Sequence, residues 1–264
     1  MGRSRWWERA TARRATGNGN GRGHKVVVGY PVGGSVTLAF HASMLQLLAH
    51  EMPKGDGRLL AKVTHSQGLY VADNRNLLIQ RLLETESDWL LQIDTDIEFP
   101  PTLIETLLDI AGSDKKILAA SVPLGSYPTA AFMLTDKAGI WDGVPQIIGD
   151  VMECDGVATA VLLTHRSVFE DIADRHGQCW MHHIYLPSQA NKPETAPRDF
   201  KFLSQGEDLA FCIRAKEAGH RIWCAYVPGL KHHKGRTLSH DEERTAAMVE
   251  GDHGVGQLVQ EGVV

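Results

Sequence analysis

Several familiar signatures are missing from this chain of 264 residues. Nowhere does it hold the roughly 20 consecutive apolar residues that a membrane helix requires, and its first two dozen residues contain no apolar stretch of signal-peptide length. Cysteine is scarce: Cys154, Cys179, Cys212 and Cys224 are the only four. None pairs as C-x-x-C, which sets aside zinc knuckles and redox motifs. Cys212 and Cys224 lie in apolar segments and read as reduced core residues, so a cytoplasmic location is the expectation. Positive charge is not in excess. The net charge is −5 and the pI about 6.2, the wrong balance for a broad surface that tracks nucleic-acid phosphates. No internal repeat is present. The motifs of fixed spelling are missing too. There is no G-x-x-x-x-G-K-[ST], which excludes a P-loop nucleotidase, and "GYPVGG" after the first strand does not spell G-x-G-x-x-G. Neither G-x-S-x-G nor H-E-x-x-H occurs.

What is present suffices for one large domain with appendages, since 43% of the residues are apolar. Residues 1–22 carry Arg3, Arg5, Arg9, Arg13, Arg14 and Arg22 and end in a Gly/Asn-rich run, the composition of a mobile tail that holds no motif. The folded domain is expected over residues 23–240. Residues 241–264 turn acidic and then Gly-rich and read as a C-terminal helix or tail.

Apolar periodicity gives strands at Lys25–Tyr30, "RLLAKVTH", "DWLLQID" and "KILAAS". Between them lie helices at "TLAFHASMLQLLAHE", "VADNRNLLIQRLLETE" and "TLIETLLDIAG". Pro100 and Pro101 are suited to the first turn of the third helix and Gly112 to its end. The alternation predicts an α/β fold with a mostly parallel central sheet. Ligands bind beyond the carboxyl ends of strands in such sheets. Tyr30 and Pro31 follow the first strand, and Asp94 and Asp96 of "IDTD" follow the third. The second half predicts a strand and helix over "GVATAVLLTHRSVFEDIADRHG", a helix at "EDLAFCIRAKEAGH", a strand at "RIWCAYV" and a long loop over "LPSQANKPETAPRDF".

Two carboxylates one residue apart at the end of a buried strand repel each other and lose solvation. In an extended segment their side chains share one side, so Asp94 and Asp96 would converge on a divalent cation that takes hard oxygen ligands and holds phosphate oxygens. The other reading is a turn in which the aspartates bond nearby N–H groups.

The order of four segments resembles a GT-A glycosyltransferase of the family 2-like group: "VVVGYPVGG", "NRNLLIQRLLETESDWLLQIDTDIEFPP", "GEDLAFCIRAKEAGHRIW" and "LKHHKG". Together they span about Lys25 to Gly235. The resemblance implies a Rossmann-like nucleotide-diphospho-sugar transferase fold, a nucleotide-diphosphate sugar donor (a UDP-sugar favoured) and Mn²⁺ or Mg²⁺ as cofactor. By position it brings Tyr30, Pro31, Arg75, Asn76, Asp94, Asp155, Gly156 and Glu207 to the donor. It makes Asp94, Asp96 and either His232 or His233 metal ligands. Mixed carboxylate and imidazole ligation would favour Mn²⁺. Arg75 is a diphosphate-binding fork or a surface helix charge, and Asp155 a sugar-hydroxyl ligand or a turn residue. His182 and His183 alternate sides of a strand and read as structural or acceptor-lining, while Trp180 is a sugar platform or a core filler.

"SQGE" matches a capping box, with Ser204 as N-cap and Glu207 reaching back. That leaves Asp208, at the position of the family's catalytic base, to take the acceptor's proton at a helix N-terminus that favours its charged form. An inverting transfer to an acceptor hydroxyl is the implied function. A metal-dependent nucleotidyltransferase or phosphohydrolase, and a non-catalytic nucleotide-sugar-binding protein, are the alternatives.

Overall fold

Three consecutive valines, Val26 to Val28, are fully buried, and the reason is that sheet neighbours flank them on both sides. In a computed structural model of the chain they open β1 (Val26–Val32), which is parallel both to β2 (Leu60–Gln67) and to β3 (Trp89–Ile93). The structure describes residues 25–57, 59–68, 70–123, 131–134, 141–143, 150–187, 202–234 and 236–239. The basic tail, the acidic C-terminal segment, the long loop over residues 188–201 and Gly235 lie outside the described residues.

The remaining strands are β4 (Ile97–Glu98), β5 (Ile117–Ala120), β6 (Ala131–Leu134), β7 (Trp141–Gly143), β8 (Val151–Cys154), β9 (Gly156–Val157), β10 (Val161–His165), β11 (Ile184–Pro187), β12 (Phe202–Gln205), β13 (Ile222–Ala225), β14 (Lys231–Lys234) and β15 (Arg236–Ser239). The helices are α1 (Leu38–Glu51), α2 (Val71–Leu83), α3 (Leu103–Ala111), α4 (Arg166–His176) and α5 (Glu207–Glu217). A short 3₁₀ segment, Met52–Gly57, prolongs α1.

The expected α/β architecture is present. Seven strands form the central sheet in the order β2-β1-β3-β10-β5-β13-β8. Five of them run the same way. β10 lies antiparallel between β3 and β5, and β8 closes the far edge antiparallel to β13. α1 and α3 cover one face with Phe40, Leu47, Leu103 and Leu107. α2, α4 and α5 cover the other with Leu78, Leu82, Phe169 and Phe211. Burying each such side chain contributes about 1.5–3 kcal/mol, and this two-sided burial makes β3 apolar throughout except at Gln92.

Local chemistry sets the element ends. Thr37 caps α1 by accepting a hydrogen bond from the Phe40 N–H at Oγ1, 3.2 Å away. β1 runs two residues past the expected Tyr30. Pro31 is tolerated there because pairing with β3 ends at Gly29, so the missing N–H falls where β1 has one neighbour only. Pro100 and Pro101 lie ahead of α3 and not in its first turn: Thr102 is the N-cap, and the Leu103 N–H donates to the Pro100 carbonyl. α3 does end at Gly112, at a φ of 55° that a Cβ would strain. Trp180 is a core filler, wholly buried with its indole N–H on the Phe169 carbonyl. Cys212 and Cys224 are buried, and burial pushes both thiols up. Among the described residues no helix is long and apolar enough to cross a membrane.

Candidate active site

The D-T-D segment is a turn, the second of the two geometries that its sequence allows. β3 stops at Ile93, the Asp94 carbonyl accepts the Ile97 N–H at 3.2 Å, and β4 begins. The turn is held from three sides. The Asp94 N–H donates to the Ala160 carbonyl at 2.8 Å, just ahead of β10. The Thr95 carbonyl accepts both the N–H and the hydroxyl of Thr37, while the Thr95 hydroxyl donates to the Ser35 carbonyl. The Asp96 carbonyl accepts the His233 N–H at 2.8 Å. The two carboxylates take different partners.

Asp94 faces α2. Its Oδ1 lies 2.6 Å from Nη2 of Arg75. Arg75 is no surface charge: only 3% of its side chain is exposed, against 32% for Asp94. Its Nη1 donates to the Thr159 carbonyl at 3.1 Å and reaches Gln92 at 3.4 Å. Both terminal nitrogens of the guanidinium are thus engaged within the protein, one of them on Asp94. Burial holds the Asp94 carboxyl above the usual carboxylate range. Arg75 opposes that shift, and the charges of Asp96 and Glu207 add to it.

Asp96 faces β14. Its Oδ2 lies 3.2 Å from Nε2 of His232, whose Nδ1 lies 2.8 Å from the Pro123 carbonyl. A carbonyl oxygen only accepts, so Nδ1 carries a proton. Nε2 then has two options. Either it holds a second proton and bonds Asp96 as an imidazolium, or it presents a lone pair beside a carboxylate, an arrangement that a cation between them relieves. Burial acts against a charged His232, yet the Asp96 hydrogen bond and the Pro123 carbonyl outweigh it and raise the imidazole's pKa. For Asp96 too, burial is outweighed by His232, and its pKa falls. A carboxylate oxygen and an imidazole nitrogen fixed by a backbone carbonyl form a donor pair that could hold a divalent cation. His233 points the other way along β14, as strand alternation requires, and meets Glu98 at 2.9 Å beside Lys231. Geometry thus brings His232, and not His233, to the D-T-D turn.

Glu207 and Asp208 open α5 nearby. The capping box is absent: Gly206 is the N-cap, with no side-chain cap, and Ser204 is paired with Tyr185 between β12 and β11. Glu207 is thereby released from a structural role, and its carboxylate lies 3.7 Å from Nε2 of His183. Asp208 accepts the Leu209 N–H at Oδ1, 2.8 Å away. Burial raises its pKa, the Leu209 N–H opposes this, and Glu207 reinforces it. The helix N-terminus alone had suggested the reverse sign; desolvation is the stronger influence.

The other expected site residues have partners of their own. Asp155 forms an ion pair with Lys216 in the last turn of α5, whereas Asp208 is in the first. Gly156 is buried in β9, paired with Phe132. Asn76 ties down the chain after α4: its Oδ1 accepts the Met181 N–H at 2.9 Å, and its Nδ2 reaches His182 at 3.2 Å. Tyr30 stacks on His65 at a centroid distance of 5.7 Å and meets Phe40 edge-on at the carboxyl end of β1. Thr159 and Pro123 act through backbone carbonyls, which no side-chain motif encodes.

One more cluster has ligand atoms mutually within 4.8 Å: His50, Glu51 and Glu105. It lies at the C-terminal end of α1, beside the start of β2. Lys54 bridges the two glutamates through ion pairs, so the cluster is a structural charge network.

No family model and no curated protein sequence matches the chain. Among solved structures, protein A197 from STIV is similar, with 18% identity over 82% of this chain and 91% of that one, at a TM-score of 0.46. A glycosyltransferase involved in glycosylation of the major capsid of PBCV-1 is similar over 55% of this chain, with 15% identity and a TM-score of 0.33. Glucosyl-3-phosphoglycerate synthase from Mycobacterium tuberculosis, crystallised with Mn²⁺, UDP and phosphoglyceric acid, is similar over 59%, with 14% identity and a TM-score of 0.32. The matches span 62% and 66% of those two chains' own lengths.

Proposed function

We propose that this chain is a metal-dependent glycosyltransferase of the GT-A type, moving a sugar from a nucleotide-diphosphate sugar, a UDP-sugar by preference, to an acceptor hydroxyl with inversion. One observation carries the reading: at the carboxyl end of β3, Asp96 and His232 face each other at 3.2 Å with the His232 proton fixed on Nδ1 by Pro123. Asp96 and His232 would hold Mn²⁺, and the ion would supply positive charge opposite the departing diphosphate. Arg75 holds Asp94 at the rim of the same turn. Asp208 takes the acceptor proton as the acceptor oxygen bonds to the anomeric carbon. The bond from that carbon to the diphosphate oxygen breaks on the opposite side, and nucleoside diphosphate leaves. The raised pKa of Asp208 brings a carboxylate base closer to the pH at which it works.

The test is Asp96→Ala in calorimetric titrations of UDP with and without Mn²⁺. The expected outcome is loss of Mn²⁺-dependent binding with the thermal transition retained. Undiminished turnover in excess EDTA would refute metal dependence. Release of nucleoside monophosphate or pyrophosphate, in place of diphosphate, would reassign the chain to nucleotidyl transfer or phosphohydrolysis.

A further inference from the structure

α1 is apolar on two faces, and among the described residues only one of them is packed against the rest of the fold. Phe40, Ser43, Met44, Leu47 and Glu51 pack inward. On the opposite side Leu38, Ala42, Leu45, Ala49 and Met52 are all exposed, at spacings of four, three, four and three residues. This is the repeat of a helix-pairing seam, in which large residues seat in gaps of a facing helix. Leu38 keeps 88% of its surface in solvent, Leu45 55% and Met52 59%, while Val36 just ahead of the helix keeps 41%. Met52 retains helical backbone angles, φ −59° and ψ −40°, so the stripe continues through the end of α1. A helix apolar all round is ordinarily a buried helix.

We infer that this seam is the two-fold interface of a homodimer, with α1 of one copy antiparallel to α1 of the other. Three observations select a second copy as the occupant. The large residues are symmetric about Leu45, with Leu38 seven residues before it and Met52 seven after. A two-fold axis at Leu45 therefore sets Leu45 on Leu45 of the partner and Leu38 on the partner's Met52, about 10 Å to either side. Ala42 and Ala49 lie between the large side chains and leave the gaps into which a facing copy's leucines fit. The flanking exposed residues are His41 and Gln46, so no fixed like charges oppose each other across the axis. The exposed apolar area is on the order of 400 Å² per copy, gathered along one face of one helix. Paired, the two stripes bury on the order of 800 Å² before the flanking residues add to it, against the roughly 1,000 Å² of a specific contact.

The experiment uses the full chain. Sedimentation velocity over a concentration series is expected to show a monomer–dimer equilibrium. Leu45→Glu, which sets two carboxylates face to face on the axis, should raise the dissociation constant at least about 100-fold with an unchanged circular dichroism spectrum. In a Cys179→Ser background, Leu45→Cys should oxidise to a covalent dimer. Leu38→Cys should cross-link only when mixed with Met52→Cys, because disulfide formation needs Cα atoms within about 7 Å. A chain that remains monomeric throughout overturns the inference. So does a monomer that dimerises only after residues 1–22 are deleted, since the chain's own N-terminal segment would then be the occupant. A dimer unaffected by Leu45→Glu places the interface on another face and overturns it equally.

Discussion

Asp94 is held by a guanidinium that has little access to water, and this makes the two aspartates of the D-T-D turn unequal in stability as well as in role. Asp94→Ala leaves Arg75 buried without its counter-charge. The expected cost is about 2–3 kcal/mol, below the full penalty for a broken buried pair because the Asp94 side chain is 32% exposed. Asp96→Ala should cost less, because His232, equally buried, can shed its second proton whereas Arg75 cannot, and urea unfolding of both variants measures the difference. At α5, Asp208→Asn should keep UDP and Mn²⁺ binding but lose transfer by roughly 10²–10⁴-fold in single-turnover assays. With the capping box gone, Glu207→Gln should leave the melting temperature within about 2 °C and act on KM, a split that a stability role would not produce. Position at a strand's carboxyl end was legible for Asp94, Asp96 and Tyr30, because hydrophobic runs announce where strands stop. Orientation was not legible. A lone Arg on an amphipathic helix reads alike whether Asp94 or water meets it, and His232 and His233 differ only by a strand register that pairing with β4 sets.

Glu51 closes α1 with a side chain of 0% exposure. Its Oε2 accepts the N–H groups of Leu59 and Leu60 at 2.7 and 3.0 Å, and Lys54 pairs with its other oxygen. Burial works against the carboxylate, but Lys54 and those two N–H groups prevail and lower its pKa below 4.5. The sign follows directly. A depressed folded pKa means that the ion's contribution is complete above the unfolded value and is lost as pH falls through the folded one. Glu51→Gln should therefore reduce unfolding free energy by about 1–3 kcal/mol at neutral pH, and the gap to the parent chain should narrow below about pH 4. Urea midpoints at the two pH values check it. At this scale sequence patterns located α1, α2, α3, α4 and α5, since each carries apolar residues at helical spacing. They could not give strand direction. "AVLLTH" is as apolar read forwards as backwards, so the antiparallel entry of β10 was invisible. The turn after β3 was hidden because D-T-D suits an extended segment and a turn equally.

Across the whole molecule, β10 joins two halves of the sheet that never touch without it: β2-β1-β3 on one side and β5-β13-β8 on the other. The Ala160 carbonyl that anchors Asp94 and the Thr159 carbonyl that anchors Arg75 lie immediately before this strand. A chain truncated after Val122 holds the D-T-D turn and α1 to α3 but should lack a cooperative thermal transition, whereas the full chain should unfold in one step. Differential scanning calorimetry of the two distinguishes these outcomes. The position of β10 also has a consequence in time. On a ribosome extending the chain at about 5–20 residues per second, the roughly 70 residues between the end of β3 and the end of β10 take on the order of 4–14 s to emerge. For that interval the inner edge of β3 has open backbone donors and acceptors that a neighbouring nascent chain can pair with. Slow codons placed between β5 and β10 would lengthen the exposure and lower soluble yield, and a chaperone that masks strand edges during synthesis would restore it.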